Sequence, residues 1–213
     1  MVSLWSRSVR PALGRWRRDL SWVWELRGSK PSVIVFTWRA LRVARRTNDA
    51  FSLISVTRPR DVENILRLAR GRDRVVELGT GTGWTTIALA LDNPRRHVLS
   101  FDVQKRSVDR YARLVSEDVQ RRITFVVAPG SAGSRSGMQR HDLVDFLYVD
   151  SSHERDETIA EWRVWQPQLA PDAVVVFDDY ESRDYPGVRE AIEVLGLQGE
   201  PHGKLYVYRN GVN

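Results

Sequence analysis

The sequence lacks cysteine altogether and has very little lysine. With no cysteine, the chain has no disulfide framework, no thiolate nucleophile and no cysteine-ligated zinc site. Its three lysines stand beside thirty arginines, a usage that we attribute to a GC-rich coding sequence rather than to thirty bidentate binding sites. Long apolar runs are also missing from the N-terminal part, where the longest, Val33 to Phe36, is too short for a membrane span or a signal-peptide core. An exported chain is therefore not predicted.

Length, composition and charge indicate one soluble globular domain with a basic appendage. The 213 residues are 42% hydrophobic and 28% charged, which suffices for a buried core and gives no sign of a fibre or of wholesale disorder. The net charge of +6 is unevenly distributed, because residues 1–48 contain eleven Arg or Lys against only Asp19 and Glu25. We therefore predict a basic helical extension over residues 1–56 and a separate domain over residues 57–213.

The basic segment is also rich in tryptophan. Apolar residues at helical spacing predict one helix from Pro11 to about Trp24 and another from about Ser32 to Arg46. Three roles remain open: a lid over a site, a homodimer arm, or a peripheral anchor in which residues 1–48 contact anionic lipid at the inner face of a membrane. We expect a cytoplasmic protein without a nucleic-acid partner. Five of the eight tryptophans lie in this segment, at Trp5, Trp16, Trp22, Trp24 and Trp38.

From Thr57 onward, short apolar strands alternate with amphipathic helices. Strands of continuous Val, Ile, Leu and Phe are typical of a parallel sheet covered on both faces. The pattern predicts a doubly wound, mostly parallel α/β fold, whose ligands bind beyond the carboxyl ends of the strands. The predicted strands cover residues 74–78, 97–101, 123–127, 144–149, 173–177 and 205–208. The predicted helices begin at Pro59, after a cap by Thr57, and at Trp84, and cover residues 105–117, 154–165 and 188–195.

The stretch VVELGTGTGW, residues 75–84, places three alternating glycines directly after the first predicted strand. A dinucleotide fingerprint needs a third small residue, but the motif has Trp84 there when read from its first glycine and Thr86 when read from its second. A phosphate-binding P-loop needs a lysine that does not follow Gly83. The tight turn and the preceding Glu77 carboxylate favour a ligand that carries positive charge.

ELGTGTG resembles the first motif of class I S-adenosylmethionine-dependent methyltransferases, in which an acidic residue precedes three alternating glycines. A second acidic residue, Asp102, ends the next predicted strand 25 residues after Glu77, as in that family. The resemblance covers about residues 62–208 and implies a Rossmann-like methyltransferase fold with S-adenosylmethionine as cofactor. It implies that Asp102 holds the ribose and that residues 130–132 lie beside the adenine. The implied cofactor-binding residues are Glu77, Gly79, Thr80, Gly81, Gly83, Thr85, Asp102, Val103, Ser131, Ala132 and Asp150.

A second acidic group follows the fourth and fifth strands of the predicted domain. Asp150 ends FLYVD, and Asp178 begins the pair Asp178-Asp179 after VVVF, 28 residues later. Neighbouring strand ends bring such carboxylates together, where like charges need a cation, and hard oxygen ligands select Mg²⁺ or Ca²⁺. The arrangement resembles metal-dependent O-methyltransferases of the catechol and sugar-modifying types. This resemblance implies that Asp150, Asp178 and Asp179 bind Mg²⁺ and that His153 stands at the place of a catalytic lysine.

The sequence departs from the catechol type at these positions. That type commonly has asparagine at the place of Asp179, and His153 is not a lysine. WQPQLAPDAVVVFDDY is more similar to a group of small bacterial methyltransferases in which metal dependence is uneven. Structural roles are also open, because Ser151 and Glu154 match a helix capping box, and a histidine is more often a solvated surface residue than a base.

These features together predict an S-adenosylmethionine-dependent O-methyltransferase. Its acceptor would be the hydroxyl of a small molecule, a sugar or a lipid-linked compound, with His153 as general base, Asp150 beside it and Mg²⁺ as an aid. Trp38, Trp84, Tyr180 or the N-terminal helices would wall the acceptor pocket. The alternatives are a non-catalytic, membrane-associated binding protein of the same fold and an NAD-dependent oxidoreductase. A nucleic-acid amino-methyltransferase is disfavoured, because the fourth strand is followed by Asp-Ser-Ser-His instead of Asn/Asp-Pro-Pro-Tyr.

Overall fold

The computed structural model describes residues 22, 24–133 and 143–211. The helix predicted from Pro11 to about Trp24 therefore lies outside the described residues except for Trp22 and Trp24, and Trp5 also lies outside them. The helices of the described part are α1 (Pro31–Arg46), α2 (Ala50–Ser55), α3 (Pro59–Leu68), α4 (Trp84–Asp92), α5 (Val108–Ala112), α6 (Glu117–Arg121), α7 (Arg155–Trp165) and α8 (Pro186–Leu195). The strands are β1 (Arg74–Leu78), β2 (His97–Asp102), β3 (Ile123–Val127), β4 (Val144–Val149), β5 (Leu169–Phe177), β6 (Gly199–His202) and β7 (Leu205–Arg209).

The sheet is doubly wound and mostly parallel, as predicted. Its strand order is β3-β2-β1-β4-β5-β7-β6. The pairs from β3 to β5 are parallel, whereas β7 is antiparallel to both β5 and β6. The chain builds one half outward from β1 and then crosses to begin the other half at β4. The switch point between β1 and β4 is where a ligand crevice is expected in such a sheet.

Continuous apolar residues bury both faces of the central strands. Successive residues of β1, Val75 and Val76, belong to separate apolar clusters, and so do Tyr148 and Val149 of β4. Because side chains alternate between the faces of a strand, the two clusters lie on opposite faces of the sheet. The uninterrupted apolar runs of the sequence therefore correspond to strands with no solvent-facing side.

Helix α1, which the sequence predicted, shares a core with the α/β part of the chain. Phe36, Ala40, Leu41 and Ala44 lie on one face at helical spacing and pack with Trp84 of α4 in a common buried cluster. The opposite face carries apolar and basic side chains into solvent, namely Val35, Trp38, Arg39, Arg42 and Arg46. Among the helices that the structure describes, none has the length and apolar content needed to cross a membrane.

Several local predictions differ from the structure. The helix predicted over residues 105–117 is shorter, since α5 covers only Val108–Ala112, and a second short helix, α6, begins at Glu117. The predicted cap at Thr57 is not formed: α3 is capped by Arg58 without a side-chain bond, and the Thr57 hydroxyl instead accepts a hydrogen bond from Thr85 at 3.1 Å. Helix α2 and strand β6 were not predicted.

Candidate active site

A cavity of about 720 Å³ opens at the switch point of the sheet. The glycine turn after β1 forms one wall, and the segment from Asp150 to Glu154 after β4 forms another. Gly79 has φ +100°, and a Cβ there would lie 1.8 Å from the carbonyl oxygen of Asp150. The first glycine of the motif is therefore required both by its left-handed backbone and by the close approach of the two strand ends.

Asp102, at the end of β2, fixes the glycine turn from the other side. One of its carboxylate oxygens accepts a hydrogen bond from the Gly81 backbone N–H at 2.8 Å, and the other accepts from the Gln104 N–H at 2.9 Å. The carboxylate lines the cavity, as does Val103, which is 64% exposed at its rim. The structure therefore places both predicted cofactor residues of this loop at the cavity.

Glu77 lies beneath the turn rather than in the cavity. Its side chain is 1% exposed and does not belong to the cavity lining. The hydroxyl groups of Ser100, at 2.5 Å, and Thr86 donate to the same carboxylate oxygen. Burial, opposed by these two hydrogen bonds, raises the pKa of Glu77 to about 7. The described geometry thus gives Glu77 a role in supporting the turn and does not bring its carboxylate to the ligand side.

The other predicted cofactor residues divide between the cavity and its supports. Thr80, Thr85 and Asp150 line the cavity with Gly79 and Gly81. Gly83 packs toward the Phe125 ring from a left-handed backbone. At the predicted adenine loop, Gly130 lines the cavity, whereas Ser131 and Ala132 do not, and the Ser131 hydroxyl donates to Glu157 at 2.5 Å.

His153 enters the cavity from the loop between β4 and α7. Its Nε2 lies 3.7 Å from a carboxylate oxygen of Asp150 and 3.7 Å from one of Asp179, and its ring packs on Tyr185 with 4.7 Å between centroids. Burial, opposed by the carboxylates of Asp179 and Asp178, lowers the pKa of His153. His153 and Asp179 also have positive φ angles of 59° and 57°. Such backbone strain in non-glycine residues is concentrated at functional sites.

The three predicted metal ligands do come together, but around an ammonium group. The Nζ of Lys204 lies 3.0 Å from each carboxylate oxygen of Asp178 and 3.5 Å from Asp179. Tyr148 donates hydrogen bonds to Asp178 at 2.8 Å and to Asp150 at 3.1 Å. A Mg²⁺ or Ca²⁺ ion at the position of this Nζ would need the carboxylate oxygens at about 2.0–2.6 Å, closer than they lie. The residues present therefore do not fit a metal ion, and residues 24–133 and 143–211 contain no other cluster arranged to hold one.

Sequence reasoning missed several residues at the cavity. Glu161 is 1% exposed and lines the cavity, with one carboxylate oxygen bonded by the Ser151 hydroxyl at 2.7 Å and the other without a partner. Burial, opposed by that hydrogen bond, raises the pKa of Glu161 to about 7. The predicted capping box is wrong, because Ser151 bonds Glu161 and Glu154 caps α7 without a side-chain bond. Trp84 lines the cavity, as do residues that were not predicted there: Phe51, Ser55, Arg106 and Tyr185.

Comparison with known proteins identifies the domain that holds this site. Residues 76–180 match the family described as a methyltransferase domain. The chain carries a class I S-adenosylmethionine-dependent methyltransferase domain. The match includes the glycine turn, Asp102, His153 and the pair Asp178-Asp179. No curated protein matches the chain.

Solved structures share the fold of this methyltransferase domain at low sequence identity. A candidate O-methyltransferase from Klebsiella pneumoniae has a TM-score of 0.68 at 16% identity, over 91% of this chain and 96% of that one. CalS11, a TDP-rhamnose 3'-O-methyltransferase of calicheamicin biosynthesis, has a TM-score of 0.56 at 18% identity, over 71% of this chain and 78% of that one. NodS, an N-methyltransferase from Bradyrhizobium japonicum in complex with S-adenosylhomocysteine, has a TM-score of 0.52 at 19% identity, over 71% of this chain and 86% of that one. Since oxygen and nitrogen acceptors both occur among these proteins, the fold alone does not select the acceptor.

Proposed function

We propose that the protein methylates a hydroxyl oxygen, with S-adenosylmethionine as donor and His153 as general base. The observation that carries the proposal is that His153 shares one cavity with the glycine turn and Asp102. The proposed base and the proposed binding residues of the methyl donor thus line the same cavity. Such proximity is what an in-line displacement requires of an enzyme.

The proposed reaction is a single displacement. The acceptor oxygen forms a bond to the methyl carbon while the bond from that carbon to the sulfonium sulfur breaks, and the sulfur keeps the electron pair as a thioether. The hydroxyl proton passes to Nε2 of His153. Because burial lowers the pKa of His153, the imidazole is neutral at pH 7 and able to accept it. The resulting imidazolium would lie between the carboxylates of Asp150 and Asp179.

Asp150 contributes a carboxyl group held beside this base. Burial, followed by the like charge of Asp178, raises the pKa of Asp150 well above its ordinary value. The Tyr148 hydroxyl, which bonds both Asp150 and Asp178, fixes the position of the carboxyl group. We assign Asp150 to orienting His153. The magnesium assistance suggested by the sequence has no part in this proposal, because the Lys204 ammonium lies 3.0 Å from Asp178 and 3.5 Å from Asp179.

We further propose that the acceptor is amphipathic, such as a lipid-linked hydroxyl, and that the protein contacts an anionic membrane surface. Phe51 of α2 lines the cavity, and the neighbouring Ile54 is 82% exposed. Trp24 and Trp38 are 64% and 42% exposed on the same N-terminal part, with arginine side chains stacked on both rings. Aromatic and basic side chains together favour the boundary between lipid and water. A soluble sugar or phenol acceptor is the second candidate.

The first experiment compares His153→Ala with His202→Ala, a matched change at a half-exposed histidine of β6. Extracts and defined hydroxyl compounds are supplied with S-adenosylmethionine labelled in the methyl group, and mass spectrometry detects the products. We expect His153→Ala to lower kcat by about 10²–10⁴-fold, because proton transfer from the hydroxyl is lost. The affinity for the cofactor, measured by calorimetry, should remain unchanged in both variants.

Two outcomes would contradict the proposal. Full turnover by a folded His153→Ala variant would remove His153 from the reaction. Binding of NAD without binding of S-adenosylmethionine would favour the oxidoreductase alternative over methyl transfer. A product methylated on nitrogen would keep the donor and the cavity but exclude a hydroxyl acceptor.

A further inference from the structure

Four carboxylates lie close to Lys204, and one of them, that of Asp150, also lines the cavity. Asp150 follows β4, Asp178 and Asp179 follow β5, and Asp61 extends from the first turn of α3. The Asp178 side chain is 2% exposed. Buried carboxylates that lie close together are stable only when some of them are protonated or when a cation compensates their charge.

Lys204 supplies a cation to this cluster. It lies in the turn between β6 and β7, next to Gly203, whose φ is +63°. Its Nζ approaches Asp178 at 3.0 Å, Asp179 at 3.5 Å and Asp61 at 4.0 Å. A lysine side chain ordinarily has a pKa of about 10.4 and is protonated at neutral pH, and neighbouring carboxylates favour its charged form. The side chain is therefore an ammonium ion.

The residue type suits this position. A lysine ammonium is a compact point charge with three donors, whereas the planar guanidinium of arginine suits bidentate pairing with one carboxylate. The chain has thirty arginines and only three lysines, and one of the three lies among these carboxylates. The other two lysines, Lys30 and Lys105, lie on exposed parts of the chain, and Lys105 pairs with Asp109 on the protein surface.

We propose that Lys204 is a built-in replacement for a divalent cation, and that methyl transfer by this protein requires no metal ion. The ammonium neutralises Asp178 and holds Asp179, whose second carboxylate oxygen lies 3.7 Å from Nε2 of His153. Lys204 is thus a positioning residue that acts on the base through Asp179. The catalytic part of this inference rests on the proposed function, whereas the exclusion of metal ions does not.

The test combines Mn²⁺ binding with activity. Mn²⁺ binding is followed by electron paramagnetic resonance, and thermal unfolding is measured with and without Mg²⁺, Ca²⁺ or Mn²⁺. The wild type should bind no Mn²⁺ and should keep its turnover in EDTA. Lys204→Ala and Lys204→Gln should each gain one Mn²⁺ site with affinity at least about tenfold above that of the wild type, because the uncompensated oxygens become ligands. Both variants should also gain thermal stability from divalent ions.

A matched control and a kinetic readout separate positioning from simple stability. Lys105→Ala removes a lysine from an exposed pair and should change neither Mn²⁺ binding nor turnover. Lys204→Ala should lower kcat at least about tenfold without changing KM for S-adenosylmethionine, because the base and not the cofactor seat is disturbed. Added Mg²⁺ should restore part of that loss.

The inference would be overturned by a wild-type Mn²⁺ site that disappears in Asp178→Asn, or by wild-type turnover that EDTA abolishes and Mg²⁺ restores. A folded Lys204→Ala variant that gains no Mn²⁺ site would also overturn it. If neither Lys204 variant folds, the two wild-type measurements still decide the matter. If no methyl transfer is found but the binding results hold, the proposed function fails and the replacement of the cation stands.

Discussion

Glu77 is the acidic residue of the glycine motif, yet its carboxylate is enclosed under the turn by Ser100 and Thr86. Its pKa rises from 4.5 to about 7 on folding. Between these values the folded protein keeps a proton that the unfolded chain has lost, so the free energy of unfolding falls as the pH rises. The loss is complete above about pH 7. Glu161, whose pKa is also about 7, contributes in the same direction.

We therefore predict that Glu77→Gln weakens the pH dependence of stability. Denaturant unfolding of the wild type between pH 5 and pH 8 should show a decline to which Glu77 contributes about 3 kcal/mol. The variant should lose that contribution, because glutamine does not ionise. Glu117→Gln, at a side chain that is 88% exposed, is the control and should follow the wild type. Parallel curves for Glu77→Gln and the wild type would contradict the assignment.

The sequence predicts individual site residues only where a motif fixes their place. Asp102, Asp150 and His153 follow strand ends, and the structure brings all three to the cavity. Lys204 carries no such signal, because it reaches the acidic cluster through a hairpin that is distant in sequence. Glu161 reads as an ordinary polar residue of α7, and its burial follows from the packing of α7 against the loop at residues 130–132.

At the level of structural elements, the glycine turn offers a direct test of close packing. Gly79→Ala introduces a Cβ at φ +100° and 1.8 Å from the Asp150 carbonyl oxygen. Gly71→Ala introduces one at φ +73° with no atom within 4 Å. Gly71→Ala is the control. It should lower the free energy of unfolding by about 1 kcal/mol, because only the left-handed backbone opposes the new Cβ. Gly79→Ala should cost about 3 kcal/mol or more and should weaken binding of S-adenosylmethionine.

Calorimetry and denaturant unfolding of both alanine variants check this prediction. Equal losses of stability would mean that the turn and the end of β4 are not in close contact. An unchanged cofactor affinity in Gly79→Ala would mean that the turn does not hold the methyl donor.

Regular apolar patterns explain which elements could be predicted. The bounds of β1, β3 and β4 were predicted as the structure has them, because each strand is a short run rich in Val, Ile, Leu and Phe. Strands β1 and β4 are buried along almost their whole length, whereas β3 is only partly buried. Strand β6 has the sequence GEPH and is exposed at all four positions. It lies at the sheet edge and is held by backbone pairing with β7, which leaves no periodic signal in its side chains.

At the scale of the whole molecule, the basic N-terminal part leads us to predict contact with an anionic membrane. We expect the protein to sediment with vesicles that contain phosphatidylglycerol and not with vesicles of phosphatidylcholine alone, and we expect added salt to weaken the binding. Replacing Trp38 and Ile54 together by serine should reduce the bound fraction severalfold, because both side chains are exposed and the Arg42 guanidinium stacks on Trp38. Val194→Ser removes an apolar side chain that is 66% exposed on α8 and should leave binding unchanged.

Equal sedimentation with charged and neutral vesicles would contradict an electrostatic contact. Absence of binding to either kind of vesicle would leave α2 as a cover of the cavity, since its Phe51 and Ser55 line the cavity in any case. A dimer arm predicts a concentration-dependent mass in analytical ultracentrifugation, which distinguishes it from both.

The position of Lys204 in a hairpin turn has an evolutionary consequence. One base change converts a lysine codon into one for asparagine, whose amide oxygen is a cation ligand. A single mutational step therefore separates a chain that encodes its own positive charge from one that must acquire magnesium from its surroundings. Two lineages with this sheet and the same three aspartates can then differ in their nutritional demand for a metal while catalysing the same reaction.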